Sequence, residues 1–308
     1  MRAAIVGVGG VGGYYGGRLA LRYAGSPEHR IIFIARGAHL KAIQNGGLRL
    51  MTVEGDFTAV PALATDSPGD AGPFDLVLFC VKSYGLEEAA RRISGNIHDG
   101  TVIVPLLNGV NMAERLRAVL PTGIVLGGCV YISTRIEGPG AVRQVGGSCQ
   151  LIFGPEPGTD AAPFRPVERF LKDAGIPAEL VSDIRIPLWT KYIFIDPMAG
   201  LTAMLGKAFG EILEDGERKK MLGALMREVA EVAKAQGVAL PEDIVPATIA
   251  KAGAFPKETK TSFQLDFEKG NPVELDIFTG YMTAIGKKLG IPVPQHEKVH
   301  AALLDKSR

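Results

Sequence analysis

Lys191 stands in the run Pro187-Leu188-Trp189-Thr190-Lys191, followed by Tyr192, Ile193 and Phe194. A lysine partly withdrawn from water by such neighbours has a lowered pKa and can donate a proton near neutrality. Reduction of a ketone needs such a donor: as hydride reaches carbon, the developing alkoxide must be protonated. The position equally suits a first-turn lysine that snorkels to solvent. Glu274, in Asn271-Pro272-Val273-Glu274, is a second candidate, as a carboxylate that accepts from a substrate hydroxyl. Its spacing is also that of a capping box, with Asn271 as N-cap, Pro272 at the first helical position and Glu274 reaching back. Upstream, Thr261 and Ser262 offer hydroxyls to a substrate carboxylate, or a helix cap.

A different chemistry is written at the N-terminus. Gly7-Val8-Gly9-Gly10-Val11-Gly12 fits GxGxxG, between a β-branched run and a helical pattern. Gly7 allows a tight turn, Gly9 lets the backbone approach a pyrophosphate, and Gly12 lets helix and strand pack closely. The helix N-terminus adds free N–H groups and a partial positive charge. The reading is a dinucleotide site on a Rossmann-type domain. The next strand ends in Ala35-Arg36-Gly37, without the acidic residue that holds ribose hydroxyls in NAD sites. Arg36 offers a fork of donors to a 2′-phosphate, so NADP(H) is the expected cofactor. In open α/β sheets ligands collect outside the carboxyl ends of strands. Lys82 follows the strand 75–81, and Asn108 follows the strand 101–107, which adds both to the cofactor edge.

His296-Glu297-Lys298-Val299-His300 matches HExxH, but little chain follows it to supply a third zinc ligand. No metal is expected. Cys80, Cys129 and Cys149 are widely spaced in apolar stretches and read as small buried hydrophobes, in keeping with a reducing compartment.

These groups need a scaffold. The 308 residues suggest two domains. A formal net charge of +1 is too weak a field to argue for nucleic acid or an acidic membrane as partner. The most apolar later stretch, 192–205, is too short for a membrane span and contains Asp196 and Pro197. A cytoplasmic protein is expected. Strand patterns at 3–6, 30–35, 75–81 and 101–107 alternate with helical patterns at 14–23, 86–93 and 111–120. That alternation predicts a parallel sheet covered on both faces. Residues 48–60 read as two short strands, and 124–132 and 141–153 as further strands about Gly138-Pro139-Gly140. After a short strand at 179–181 the pattern becomes helical, over 189–205, 211–236, 241–251 and 272–289. The fold class is therefore α/β: a Rossmann-type domain over 1–183 and an all-helical domain over 184–308, the latter a candidate substrate and dimerisation domain.

Taken in order, these segments resemble the ketopantoate reductase (2-dehydropantoate 2-reductase) family over nearly the whole chain. The resemblance is carried by GVGGVGG from Gly7, ARG at 35–37, VKSYGL at 81–86, LNGV at 107–110, PGAVRQVGG at 139–147, LWTK at 188–191 and TSFQLDFEKGNPVELD at 261–276. It implies NADPH-dependent reduction of ketopantoate to pantoate, on the route to pantothenate. It also implies Lys191 as the catalytic lysine and Glu274 as the acidic substrate ligand. Lys82 and Asn108 would serve the cofactor side, Asn108 also the substrate, and Thr261 or Ser262 the substrate carboxylate. One departure stands out. Family members usually carry asparagines four and eight residues after the lysine, on the lysine's own helix face; here those positions are Ile195 and Ala199. Asp196 lies roughly 100° further round and is a poor replacement. Two alternatives therefore stay open: a related NADPH-dependent reductase of a less polar 2-oxo acid or ketone, and a non-catalytic NADP-binding sensor.

Overall fold

The computed structural model describes residues 1–306. They form two compact units: Met1–Leu107 with Asn111–Ile184, and a second from Arg185 onward that also takes in Asn108–Val110.

The first unit carries β1 (Arg2–Val6), α1 (Gly10–Arg22), β2 (Arg30–Ile34), α2 (Gly37–Gly46), β3 (Leu48–Thr52), β4 (Gly55–Ala59), β5 (Leu63–Thr65) and β6 (Leu76–Phe79). It continues through α3 (Leu86–Ile93), β7 (Val102–Pro105), α4 (Met112–Arg117), β8 (Ile124–Val125), β9 (Gly127–Gly138), β10 (Ala141–Gly154), α5 (Arg165–Asp173) and β11 (Ala178–Leu180). Six strands make a parallel sheet in the order β5-β2-β1-β6-β7-β8. Unbroken apolar runs such as Ala3-Ala4-Ile5 suit strands buried on both faces, and these three side chains are fully buried. Val6 is level with Ile34 on one side and Phe79 on the other, so β1, β2 and β6 end at one edge. The chain reverses its direction of travel across the sheet beside β1, which makes this edge the switch point where ligands gather.

A second sheet has the order β11-β10-β3-β4, with β9 antiparallel to β10. The apolar run 124–132 is thus divided between β8 of one sheet and β9 of the other. Helix α1 packs against both sheets. A Cβ on Gly16 would lie 2.9 Å from Phe33 of the first, and one on Gly13 would lie 2.6 Å from Val142 of the second. Its glycines leave room for that close approach.

The helical unit holds α6 (Arg185–Leu205), α7 (Phe209–Leu213), α8 (Gly216–Ala235), α9 (Ile244–Gly253), α10 (Ser262–Glu268), α11 (Thr279–Leu289) and α12 (Pro294–Lys306). The helical pattern of 211–236 breaks at Asp215, whose side chain caps α8 by accepting from the Arg218 N–H at 2.9 Å. The helix expected over 272–289 starts only at Thr279; residues 275–277 form a single 3-10 turn. Helices α2 and α5 lie where no helix was expected, and α10 follows the cap that the sequence offered at Thr261. Among the described residues, no helix is long and apolar enough to cross a membrane.

Candidate active site

In the parallel-sheet unit the glycine turn follows β1 directly. Gly7 has φ +93°, and a Cβ there would strike Val81 at 2.7 Å. Gly12 faces the Gly7 carbonyl so closely that no side chain fits between them. Val8 is buried in the core and Gly10 opens α1, packed against Thr134. Gly9 is the N-cap and differs: a Cβ there would meet nothing within 4 Å. The backbone at Gly9 therefore borders open space at a helix N-terminus whose N-cap residue makes no side-chain cap. This fits a pyrophosphate, which is the part of a dinucleotide the turn would hold.

Arg36 lies beyond β2 as the N-cap residue of α2, exposed, with its guanidinium 3.7 Å from the Glu88 carboxylate. Lys82 lies beyond β6, exposed, at the start of a 3-10 turn closed by the Gly85 N–H on its carbonyl. Because Val6, Ile34 and Phe79 are level, the glycine turn, Arg36 and Lys82 all follow strands that end at the same sheet edge.

In the helical unit Lys191 sits in the second turn of α6 and is half-buried. Its Nζ donates to Asn108 Oδ1 at 2.9 Å. Asn108 accepts one of the three ammonium protons. This pair joins two sequence-derived candidates that are 83 residues apart. The residue after the lysine, Tyr192, was not singled out from the sequence. It is buried, and its hydroxyl lies 2.9 Å from the Ile277 carbonyl and 3.1 Å from that of Phe278. Helix α6 thereby holds the segment that carries Glu274.

Glu274 is buried and lies outside any helix, at φ −89° and ψ 50°. The capping box expected there is not formed. Asn271 instead turns back on Asp266, through its side chain at 3.1 Å and its backbone N–H at 2.9 Å. The cap is at Thr261, whose hydroxyl accepts from the Gln264 N–H at 3.0 Å and starts α10. Ser262 is the first residue of that helix and is exposed. Of the two hydroxyls, Thr261 has a structural task and Ser262 has none visible.

Ile195 is partly exposed and Ala199 buried. Asp196 is fully buried and faces His296 Nε2 at 2.7 Å. The other nitrogen of that ring, Nδ1, lies 2.6 Å from Glu228, which also accepts the backbone N–H groups of Gln295 and His296 and so caps α12 from a neighbouring helix. Burial alone would lower the His296 pKa, but the Asp196 and Glu228 carboxylates more than offset it and raise the ring to about 9. The histidines of the HExxH match go separate ways, since His300 Nδ1 meets the Thr279 hydroxyl at 3.1 Å. The sequence signal for the Asp196–His296–Glu228 triad was only a carboxylate inside an apolar helix, which demands a buried partner. Cys129 and Cys149 are buried and Cys80 partly so, and none of the three forms a disulfide among the described residues.

A glycine turn at the switch point of a parallel sheet, joined to a helical unit with a lysine set on an asparagine, defines the architecture of a dinucleotide-dependent oxidoreductase. Two sequence families match it in turn: ketopantoate reductase PanE/ApbA over residues 3–158 and its C-terminal domain over residues 183–307. The chain belongs to the ketopantoate reductase family. It is 30% identical to a 2-dehydropantoate 2-reductase of Mesorhizobium japonicum, over 98% of this chain and 96% of that one. A PanE/ApbA family ketopantoate reductase of Ralstonia eutropha JMP134 is similar in structure, with a TM-score of 0.89 and 33% identity over 100% of this chain and 98% of that one. A D-mandelate dehydrogenase solved with NADH and anilino(oxo)acetate shares the fold, with a TM-score of 0.87 and 22% identity over 100% and 98%.

Proposed function

We propose that the chain is an NADPH-dependent reductase of a 2-oxo acid, working by its family's reaction type, the conversion of ketopantoate to pantoate. The observation that carries this reading is the hydrogen bond from Lys191 to Asn108. The amide fixes the direction of the amine, and an ammonium is the acid that the developing alkoxide requires. Lys191 donates one to the C2 oxygen as that carbon is reduced and regains it from water. The nicotinamide, when bound, supplies the hydride. The glycine turn holds the pyrophosphate, with Lys82 on the same sheet edge, and Arg36 takes the 2′-phosphate in place of Glu88. Glu274 and Asn108 position the substrate, and Ser262 receives its carboxylate with Thr261 fixing the start of α10.

The test is NADPH consumption with ketopantoate and a panel of other 2-oxo acids. Turnover of at least one 2-oxo acid, lost on Lys191→Ala, is the expected result. Cofactor binding without turnover of any of them would replace this reading with that of a sensor.

A further inference from the structure

Residues three and four apart share a helix face, so the neighbours of Lys191 on α6 are Pro187, Leu188, Phe194 and Ile195. All four are apolar and all four are partly exposed, while Trp189, Tyr192 and Ile193 are buried. The lysine head thus emerges from an apolar patch. From Phe194 that patch runs on to Phe255, stacked at 5.5 Å between ring centroids and itself exposed. The polar side chains that follow Lys191 along α6 are each engaged within the protein. Tyr192 is engaged with the carbonyls of Ile277 and Phe278, Asp196 with His296, and Thr202 with the Met198 carbonyl at 2.6 Å. Asp196 and Thr202 are also wholly buried. Lys251 Nζ lies over the Phe194 ring, 5.9 Å from its centroid, so the purely carbon part of the face is that of Leu188 and Ile195, where a substrate chain meets none of the polar side chains of α6 beyond the lysine.

We infer that the substrate is a 2-oxo acid whose side chain is apolar and unhydroxylated, placed against Leu188 and Ile195 while Lys191 reaches the C2 oxygen, which leaves the C2 hydroxyl of the product as the group from which Glu274 accepts. The inference rests on the reading of Lys191 as proton donor. The reaction is balanced as before: two electrons and a hydrogen arrive at C2 from the reduced nicotinamide, the proton goes from Lys191 to the oxygen, and a 2-hydroxy acid leaves with the oxidised cofactor.

The sign of one comparison decides the matter. A site built to bind a substrate hydroxyl rejects the analogue lacking it by roughly ten-thousandfold or more, because its own polar groups are left unpaired. An apolar wall does the reverse, and disfavours the added hydroxyl by up to roughly a hundredfold. Ketopantoate and 3,3-dimethyl-2-oxobutanoate differ only in the hydroxyl at C4. With NADPH saturating, kcat/KM should be about tenfold or more higher for 3,3-dimethyl-2-oxobutanoate. Ile195→Asn should lower that ratio, and Ile195→Thr, a gentler change, should lower it in the same direction. A ratio at or below one in the unaltered protein, or one that neither variant moves, overturns the inference and leaves 2-oxo acid reduction standing. Failure of both acids and of the whole panel, with NADPH bound, overturns both.

Discussion

Lys191 Nζ donates to Asn108 Oδ1 at 2.9 Å, and the asparagine comes from the segment that follows β7 while the lysine belongs to α6. The contact brings a strand-end residue and a helix residue to one point, where an amide orients an ammonium. Asn108→Ala removes this acceptor and loosens the orientation of the lysine. A hydrogen bond to a charged group contributes about 1.5–3 kcal/mol, so kcat should fall by about 10- to 100-fold. Steady-state rates across saturating substrate check this, and an unchanged kcat would show that the pair has no part in turnover.

Arg36 and Glu88 form an exposed pair at 3.7 Å, the kind of surface contact that contributes little and yields readily to a stronger anion. Arg36→Gln should weaken NADPH binding by about 10- to 100-fold, the equivalent of one charge-assisted fork, and leave NADH almost untouched. Fluorescence titration with each cofactor separates the two. Equal weakening of both would detach Arg36 from the 2′-phosphate.

Tyr192 ties α6 to the segment after Glu274 through the carbonyls of Ile277 and Phe278. Tyr192→Phe keeps the ring and strands two buried acceptors, at a cost of about 1–3 kcal/mol of stability. Because the segment holding Glu274 loosens, KM for the 2-oxo acid should rise more than kcat falls. Denaturant unfolding together with steady-state kinetics would show both effects; lost stability with unchanged KM would confine Tyr192 to the core.

Some of this was legible before any coordinates. The β1-turn-α1 unit shows in the sequence because its signals are local: a fully buried strand leaves an unbroken apolar run, and the glycines follow it at once. Lys191 and Asn108 were both named, although only the fold could make them partners. Glu274 shows why local signals mislead. Asn271 and Pro272 favour a helix start, but Asp266 takes Asn271 and Tyr192 takes the carbonyls at 277 and 278, so the helix waits until Thr279. Helix α10, Ser262–Glu268, is too short to show a period, and α2 begins and ends in glycine. The Asp196–His296–Glu228 triad joins groups 100 and 68 residues apart, beyond the reach of any spacing rule.

That triad gives a pH dependence with a definite sign. His296 is raised in the folded chain from an ordinary 6.5 to about 9. A raised histidine stabilises fully below its unfolded value, so the contribution is complete below about pH 6.5 and is lost as pH rises through about 9. Thermal unfolding should show Tm falling across that window. His296→Ala leaves the buried Asp196 carboxylate and the partly buried Glu228 facing a gap, which costs about 3–5 kcal/mol, and it should both lower Tm and flatten its dependence on pH. A wild-type Tm that is level from pH 6.5 to 9 would contradict the assignment.

The central claim is that Lys191 protonates the carbonyl oxygen of a 2-oxo acid, and Lys191→Ala tests it most directly. NADPH affinity of the variant is measured by titration, and single-turnover oxidation of bound NADPH is then followed with the best 2-oxo acid of the panel. The account predicts affinity within about twofold of the unaltered protein and a rate reduced by about 10²- to 10⁴-fold, the range assigned to a positioned general acid. Turnover close to the unaltered rate, with NADPH bound as tightly, would contradict it.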